Sequence, residues 1–447
     1  MSTAELLPLT DRAAGATLFH LPGRSVDTAG FLADARALAR TLPARPYVIN
    51  LCADRYWFTV GLAAALLSRQ VSLLCGDPPE GVLRWLAEAY PDAYLLADGE
   101  EDPLPGRLAR HKIRTEPAGG DGGAVAELEA TQPAIIALTS GTTGRPVGTR
   151  KCWGELVARS RAAAMRFGLA EGAPTTIIGT VPPSHMYGLE TTVLLPLSAG
   201  VSVWCGPSFF PANIIAAIDR LAGPRILVTT PLHLRALIEA PLPQRPPERV
   251  ISATAPLERA LADAAERRWS CEVLEIFGAT EVGSIASRRT VAETEWALYP
   301  GVTLAGPDAA PLAWGPWAEP RRLADVVELN PDGRHFRLTG RAGDLVKRGG
   351  RRASLAGLSG ILTNIPGVED GAFLTPTDLE SAPNARLVAV AVAPSHSVSS
   401  LTEALRTLID AAFMPRPLVL VDRLPRDALG KLPREALLAT LREAAPH

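Results

Sequence analysis

Residues 138–148 read Leu138-Thr139-Ser140-Gly141-Thr142-Thr143-Gly144-Arg145-Pro146-Val147-Gly148. The apolar run Ala134-Ile135-Ile136-Ala137-Leu138 predicts a buried strand that leads straight into this loop. Glycines let backbone N–H groups approach an anion closely, and the Ser140, Thr142 and Thr143 hydroxyls add rotatable donors. Such a loop suits a polyphosphate. It is not the P-loop of mononucleotide kinases, because Thr149-Arg150 follows Gly148 where that motif needs Gly-Lys-Ser/Thr. Taken alone, the same composition describes an ordinary surface turn, so the reading rests on what surrounds it.

At 447 residues and 47% hydrophobic, the chain has material for two or three domains. Its 45 basic and 47 acidic side chains leave a net charge of −2, which gives no case for a nucleic-acid partner. The longest apolar stretch, about residues 56–68, stops at Arg69 and is too short to span a bilayer, so no membrane insertion is expected. The start, Met1-Ser2-Thr3-Ala4-Glu5, lacks the features of a signal peptide. Cys52, Cys75, Cys152, Cys205 and Cys271 form no C-x-x-C pair and read as reduced thiols. These features together lead us to expect a cytoplasmic protein.

Strand and helix patterns alternate along the chain. Phe31, Ala35, Leu38 and Leu42 recur at helical spacing, 47–51 is a strand, 58–67 a buried helix, 71–75 and 93–97 further strands. This alternation predicts an α/β fold of layered, mostly parallel βαβ sheets. Residues 98–130, rich in Gly, Glu, Asp and Pro, read as a loop. Beyond the phosphate loop, 153–167 is a helix and 175–181 a strand ending at Pro182-Pro183-Ser184-His185-Met186-Tyr187-Gly188. A histidine with an aromatic neighbour at a strand end sits where α/β sheets bind ligands, although a lone histidine is more often structural. The strand at 250–252 opens into Ala253-Thr254-Ala255-Pro256, which also reads as a helix start capped by Thr254. The strand Val273-Leu274-Glu275-Ile276 delivers Phe277, Gly278, Ala279, Thr280 and Glu281 to one ligand-facing end. There an aromatic ring suits a purine, a threonine a phosphate, and a carboxylate Mg²⁺.

The loop at 138–148 resembles the phosphate-binding signature of the adenylate-forming superfamily: acyl- and aryl-CoA synthetases, peptide-synthetase adenylation domains and luciferases. Phe277-Gly278-Ala279-Thr280-Glu281 is similar to that family's Tyr-Gly-x-Thr-Glu motif, in family order. Pro425-Arg426-Asp427-Ala428-Leu429-Gly430-Lys431-Leu432-Pro433-Arg434 resembles its last motif. The resemblance implies a domain over 1–341 that includes a smaller β-rich section, and a small mobile α+β C-terminal domain over 342–447. ATP would lie on Thr139, Ser140, Gly141, Thr142, Thr143 and Gly144, with adenine against Thr254, Ala255, Pro256, Phe277 and Gly278. Asp325 and Arg341 would hold the ribose, and Glu281 would hold Mg²⁺. A carboxylic acid would be received by His185, Tyr187, Gly188 and Ala279. Lys431, His185 and Thr280 would be catalytic, Lys431 by setting a cation where charge builds in the transition state.

The implied product is an acyl-adenylate passed to a phosphopantetheine thiol. The expected substrate is an aromatic acid of the hydroxybenzoate kind loaded onto an acyl carrier protein, as in standalone ligases of aryl-polyene pigment pathways. The alternatives are free CoA as acceptor, and a degenerate nucleotide binder without catalysis. Departures from the family pattern motivate the last: Val147 stands where the loop usually has Lys, Leu323-Ala324 where Thr-Gly precedes the ribose Asp, and Gly357-Leu358-Ser359 where Glu-x-Glu is usual. Gly343, where the family commonly carries Asp or Lys, would make a freer hinge. Lys151, near the loop, is a candidate substitute for the missing lysine.

Overall fold

The computed structural model describes residues 5–444 except 77, 79, 100–107, 118, 120–121, 141–145, 170–173, 309–310, 318, 342–344, 349–350, 376–385 and 428–429. For residues 139–140, 146–147, 341, 345, 347–348 and 351–352 it describes the backbone alone. Contacts divide the chain in two. The first unit holds residues 1–293, 298–302 and 315–319; the second holds 294–297, 303–314 and 320–447.

The expected α/β layering is present in the first unit. One sheet runs Pro146–Cys152, Pro133–Ser140, Val71–Leu74, Tyr47–Asn50, Ala93–Ala97, Ala109–Lys112. Its strands are parallel except for the hairpin that joins Pro133–Ser140 to Pro146–Cys152. Ala134, Ile135, Ile136 and Ala137 are all buried, which is why this strand reads as an unbroken apolar run rather than an alternation. The second sheet has a parallel centre of Glu272–Ala279, Arg249–Ser252, Arg225–Thr229, Thr175–Gly179, Val201–Trp204 and Thr17–Leu21. Antiparallel strands Gly283–Arg289 and Arg24–Asp27 flank it on either side. Two expectations need correction. The stretch 98–130 contributes short strands, Ala109–Lys112 and Glu127–Glu129, whose polar composition hides them in sequence. The helix after the 250–252 strand begins only at Arg259, with Glu258 at its cap, so Thr254 is not the cap.

The helix Arg55–Leu67 is buried almost all round, started by Asp54, whose carboxylate accepts from the Trp57 N–H at 3.0 Å. Its Arg55 guanidinium donates to the carbonyls of Gly179 at 2.9 Å and Val181 at 3.0 Å, and to Thr192 Oγ1. Those carbonyls end the strand that leads to His185. Among the described residues no helix is long and apolar enough to cross a membrane.

The second unit contains the short antiparallel strands Thr303–Ala305, Leu312–Trp314 and Arg321–Arg322, the expected small β-rich section. The hairpin Asp325–Leu329 with His335–Arg341 follows. Further on, the strands Asp370–Leu374, Val388–Val392 and Leu418–Leu420 form a sheet with helices Leu355–Thr363, Val398–Leu408 and Arg434–Ala444. Strand alternation separates two cores: Ala389 and Ala391 pack with Leu358, Leu362 and Leu401, whereas Val388, Val390 and Val392 pack with Leu437, Leu438 and Leu441. The junction expected at 342–344 lies outside the described residues.

Replacing Arg55 by Ala removes a buried donor from the Val181 carbonyl and from the Gly179 carbonyl, which keeps Ser208 Oγ at 2.7 Å. We expect a loss of about 3 kcal/mol in stability, read from the denaturant midpoint at unchanged m-value.

Candidate active site

The strand Pro133–Ser140 ends at the phosphate-loop motif, and its hairpin partner returns with Pro146 opposite Ser140 and Val147 opposite Thr139. Both strands therefore aim their ends at the loop tip. Gly141, Thr142, Thr143 and Gly144 lie outside the described residues. Lys151 does not substitute for a loop lysine: it sits opposite Ile135, at the far end of the hairpin, and is fully buried. Its ammonium pairs with Glu155 Oε1 at 3.3 Å and donates to the Glu281 carbonyl at 2.9 Å. A cation is thus spent on holding backbone of the second motif.

That motif forms a tight hairpin. Ala279 pairs with Gly283 and Gly278 with Ser284, after a register shift between Phe277 and Gly278. Phe277 is buried, Gly278 exposed, and Ala279, Thr280 and Glu281 are half-buried. A Cβ at Gly278 would collide with the Gly283 carbonyl oxygen, so the hairpin closes only with glycine there. Glu275, two residues before Phe277 and buried, accepts from the Leu257 N–H at 2.8 Å, from Thr290 Oγ1 at 3.1 Å and from Arg288. This carboxylate fastens the Thr254–Pro256 turn to the strand that carries Phe277. Within the turn, Thr254 takes φ 82°, a left-handed conformation uncommon for a threonine, and Pro256 is exposed.

His185 caps the short helix Met186–Leu189, its Nδ1 accepting from the Tyr187 N–H at 3.3 Å. The Tyr187 hydroxyl donates to the carbonyls of Ile251 at 2.8 Å and Thr229 at 3.2 Å, which ties this helix to the ends of two neighbouring parallel strands. Burial, and then the nearby Tyr299 phenol, push Tyr187 well above the usual phenol range, so it stays a neutral donor. At Gly188 a Cβ would collide with the Pro182 carbonyl oxygen. The helix continues as a π-helical turn, Glu190–Leu194, an irregularity that re-aims side chains and recurs at functional sites. From it Glu190 accepts from the Ser284 N–H at 3.0 Å and from Ser284 Oγ, and pairs with Arg159 at 3.2 Å. Arg159 also donates to the Ser284 carbonyl.

Within the first unit, then, three bonded contacts join the 185–190, 251–257 and 275–284 segments, Tyr187 to Ile251, Glu275 to Leu257 and Glu190 to Ser284, and a fourth ties Lys151 to Glu281. Of the side chains that make or brace these contacts, Tyr187 is a site residue in the sequence reading and Lys151 enters it in another role; Glu155, Arg159, Glu190, Glu275 and Ser284 have no part in it. One signal was available: Lys151, Glu155 and Arg159 recur every four residues on one face of a segment whose neighbours Leu156, Val157 and Ser160 are also buried. Among the described residues no group of three or more His, Cys, Asp or Glu could hold a metal through protein alone.

In the second unit, buried Asp325 lies directly opposite Arg341 in the hairpin register. Lys431 is exposed on a turn built by Asp427, whose carboxylate accepts the Lys431 N–H at 2.8 Å and whose own N–H donates to the Lys431 carbonyl at 2.8 Å. Arg426 braces this turn through two 2.7 Å bonds to Asp370 and one to the Gly430 carbonyl.

The AMP-binding enzyme family matches residues 44–311 of the chain. The 4-coumarate–CoA ligase of Rhodobacter capsulatus is 29% identical over 275 residues, covering 62% of this chain and 67% of that protein. A probable 2-succinylbenzoate–CoA ligase of Mycobacterium tuberculosis is 28% identical over 335 residues, covering 68% of this chain and 84% of the relative. The crystal structure of ATP-bound MatB from Rhodopseudomonas palustris superposes with a TM-score of 0.80 over 96% of both chains at 19% identity, a likeness of fold. The chain belongs to the AMP-binding enzyme family, the adenylate-forming ligases that activate a carboxylic acid at the expense of ATP.

Proposed function

We propose that the chain activates an aromatic carboxylic acid of the hydroxybenzoate kind as its acyl-adenylate and passes the acyl group to a pantetheine thiol, in the cytoplasm. The observation that carries this reading is the bonded set of 185–190, 251–257 and 275–284 segments, each held by at least one side chain-to-backbone hydrogen bond. Such pre-positioning is what a reaction without covalent catalysis requires.

ATP lies on Thr139, Ser140, Gly141, Thr142, Thr143 and Gly144, with adenine between the Thr254–Pro256 turn and Phe277-Gly278. Asp325 and Arg341 take the ribose. The acid is received near His185, Gly188 and Ala279; Tyr187 acts by anchoring, since its hydroxyl already serves two backbone carbonyls. A half-exposed carboxylate beside a threonine hydroxyl is a hard-oxygen donor set that fits Mg²⁺, so Glu281 with Thr280 would hold the ion against the nucleotide phosphates, where it offsets their charge. The acid's carboxylate oxygen attacks the α-phosphorus, pyrophosphate leaves, and Thr280 with Lys431 offsets the charge that builds. The thiol then attacks the acyl carbonyl and AMP leaves. The moving boundary falls between 341 and 342, at the Gly343 hinge.

The relatives named as CoA ligases favour free CoA as the acceptor. The carrier-protein reading is favoured by Gly357-Leu358-Ser359, where the usual acidic pair is replaced. Incubation with ATP, an acid panel of benzoates, cinnamates and fatty acids, and either CoA or a holo carrier protein separates the two by the mass of the thioester formed. An aryl thioester on either acceptor is the expected result; fatty-acyl products alone would contradict the aromatic assignment. Lys431→Ala is expected to lower acid-dependent ATP–pyrophosphate exchange by about 100-fold while ATP affinity, read by calorimetry, stays within about threefold. Undiminished exchange would remove Lys431 from the adenylation step.

A further inference from the structure

The first unit encloses a small cavity between the helix Trp153–Arg166, the π-helical turn Glu190–Leu194 and the hairpin 272–289. Its polar lining is Arg159, Ser160, Glu190, Thr191, Ser284 and Tyr299; Leu194 and Ile276 represent the apolar remainder. The Ser160 hydroxyl accepts from Ser198 Oγ, and the Thr191 hydroxyl donates to the Tyr187 carbonyl. Its volume is about 10 Å³, room for roughly one water-sized group.

The polar atoms do not balance. Both Glu190 oxygens are engaged, by Arg159 and by the Ser284 N–H and hydroxyl. Arg159 uses Nε on Glu190 and Nη2 on the Ser284 carbonyl, and its guanidinium lies 5.6 Å from the Trp317 ring centre. Its Nη1 has no hydrogen-bond partner among the described residues, and neither has the Tyr299 hydroxyl. Both residues are buried, at 4% and 1% exposure. Burial holds Tyr299 far above the usual phenol range, so its hydroxyl remains a neutral donor. Buried donors left without acceptors are costly, and a cavity that presents two of them invites an oxygen.

The wall also places this cavity. Glu190 and Leu194 follow on from His185–Gly188, which is assigned to the acid, and Ile276 and Ser284 bracket Phe277–Glu281, of which Ala279 is assigned to the acid. We propose that the cavity is the closed end of the acid pocket, and that Arg159 Nη1 and Tyr299 Oη recognise a neutral oxygen, a phenolic hydroxyl or carbonyl, at the far end of the substrate. This rests on the acid-activating reading above. The chemistry selects among acids. Two donors facing inward disfavour an amine. A second carboxylate would bring an uncompensated charge, because Glu190 already matches Arg159. A plain hydrocarbon end would leave both donors unmet.

The test is acid-dependent ATP–pyrophosphate exchange with matched pairs: benzoate against 3- and 4-hydroxybenzoate, cinnamate against 4-hydroxycinnamate. The wild-type protein is expected to favour one hydroxylated member by about tenfold or more in kcat/KM, and Tyr299→Phe to bring that ratio towards one. Equal turnover of the paired acids by the wild type overturns the inference while leaving adenylation intact. So does a preference that Tyr299→Phe does not change, which would make the cavity a site for a structural water. If the variant does not fold, the wild-type ratio alone decides. No exchange with any acid would instead overturn the acid-activating reading, and this inference with it.

Discussion

One buried ammonium links the hairpin of the 138–148 motif to the hairpin of the 277–281 motif. Lys151 is fully enclosed, and removing a cation from water is costly unless it is paired and hydrogen-bonded. Glu155 supplies the charge, and the Glu281 carbonyl supplies the further acceptor. Lys151 ends the strand Pro146–Cys152, whose opposite end enters the phosphate loop. A single strand, Pro146–Cys152, therefore carries both Pro146, next to the 141–145 stretch in sequence, and the Lys151 that holds the Glu281 carbonyl.

The same device recurs around the site. Arg159, two turns along from Lys151, clamps Glu190 and Ser284; Glu275 clamps the Thr254–Pro256 turn; Tyr187 clamps the strand ends at Thr229 and Ile251. Each of these contacts includes a side chain bonded to backbone, which fixes the position of the segment it meets. A reaction that proceeds by positioning and electrostatics gains from such rigidity, because small displacements of reacting groups lower the rate steeply.

The layered parallel sheets were legible because doubly buried strands such as Ala134–Ala137 show as unbroken apolar runs, and because helices alternate with them. The motif residues were legible as types: glycines, hydroxyls and an aromatic at strand ends. The bracing was much less so. Sequence alone does not tell which charges become buried, so Lys151 near a phosphate loop reads as a ligand, yet burial and Glu155 commit it to backbone. Tyr187 reads as a pocket wall, but its hydroxyl is taken up by two carbonyls. The turn at Thr254 resembles a helix start in composition, whereas Thr254 takes a positive φ and the Leu257 N–H that follows the turn donates to Glu275, 18 residues further along the chain. The short strands at 109–112 and 127–129 carry polar residues and so share the composition of a loop.

The decisive measurement compares Lys151→Met with the double variant Lys151→Met/Glu155→Leu, in stability and in acid-dependent pyrophosphate exchange. The single change takes the Lys151 ammonium away from buried Glu155 and is expected to cost about 3 kcal/mol, most of which the double variant recovers. Exchange is expected to stay at least about tenfold below wild type in both, because the Glu281 carbonyl has lost the donor that positions its hairpin. A double variant that is stable and exchanges pyrophosphate at the wild-type rate would contradict the account.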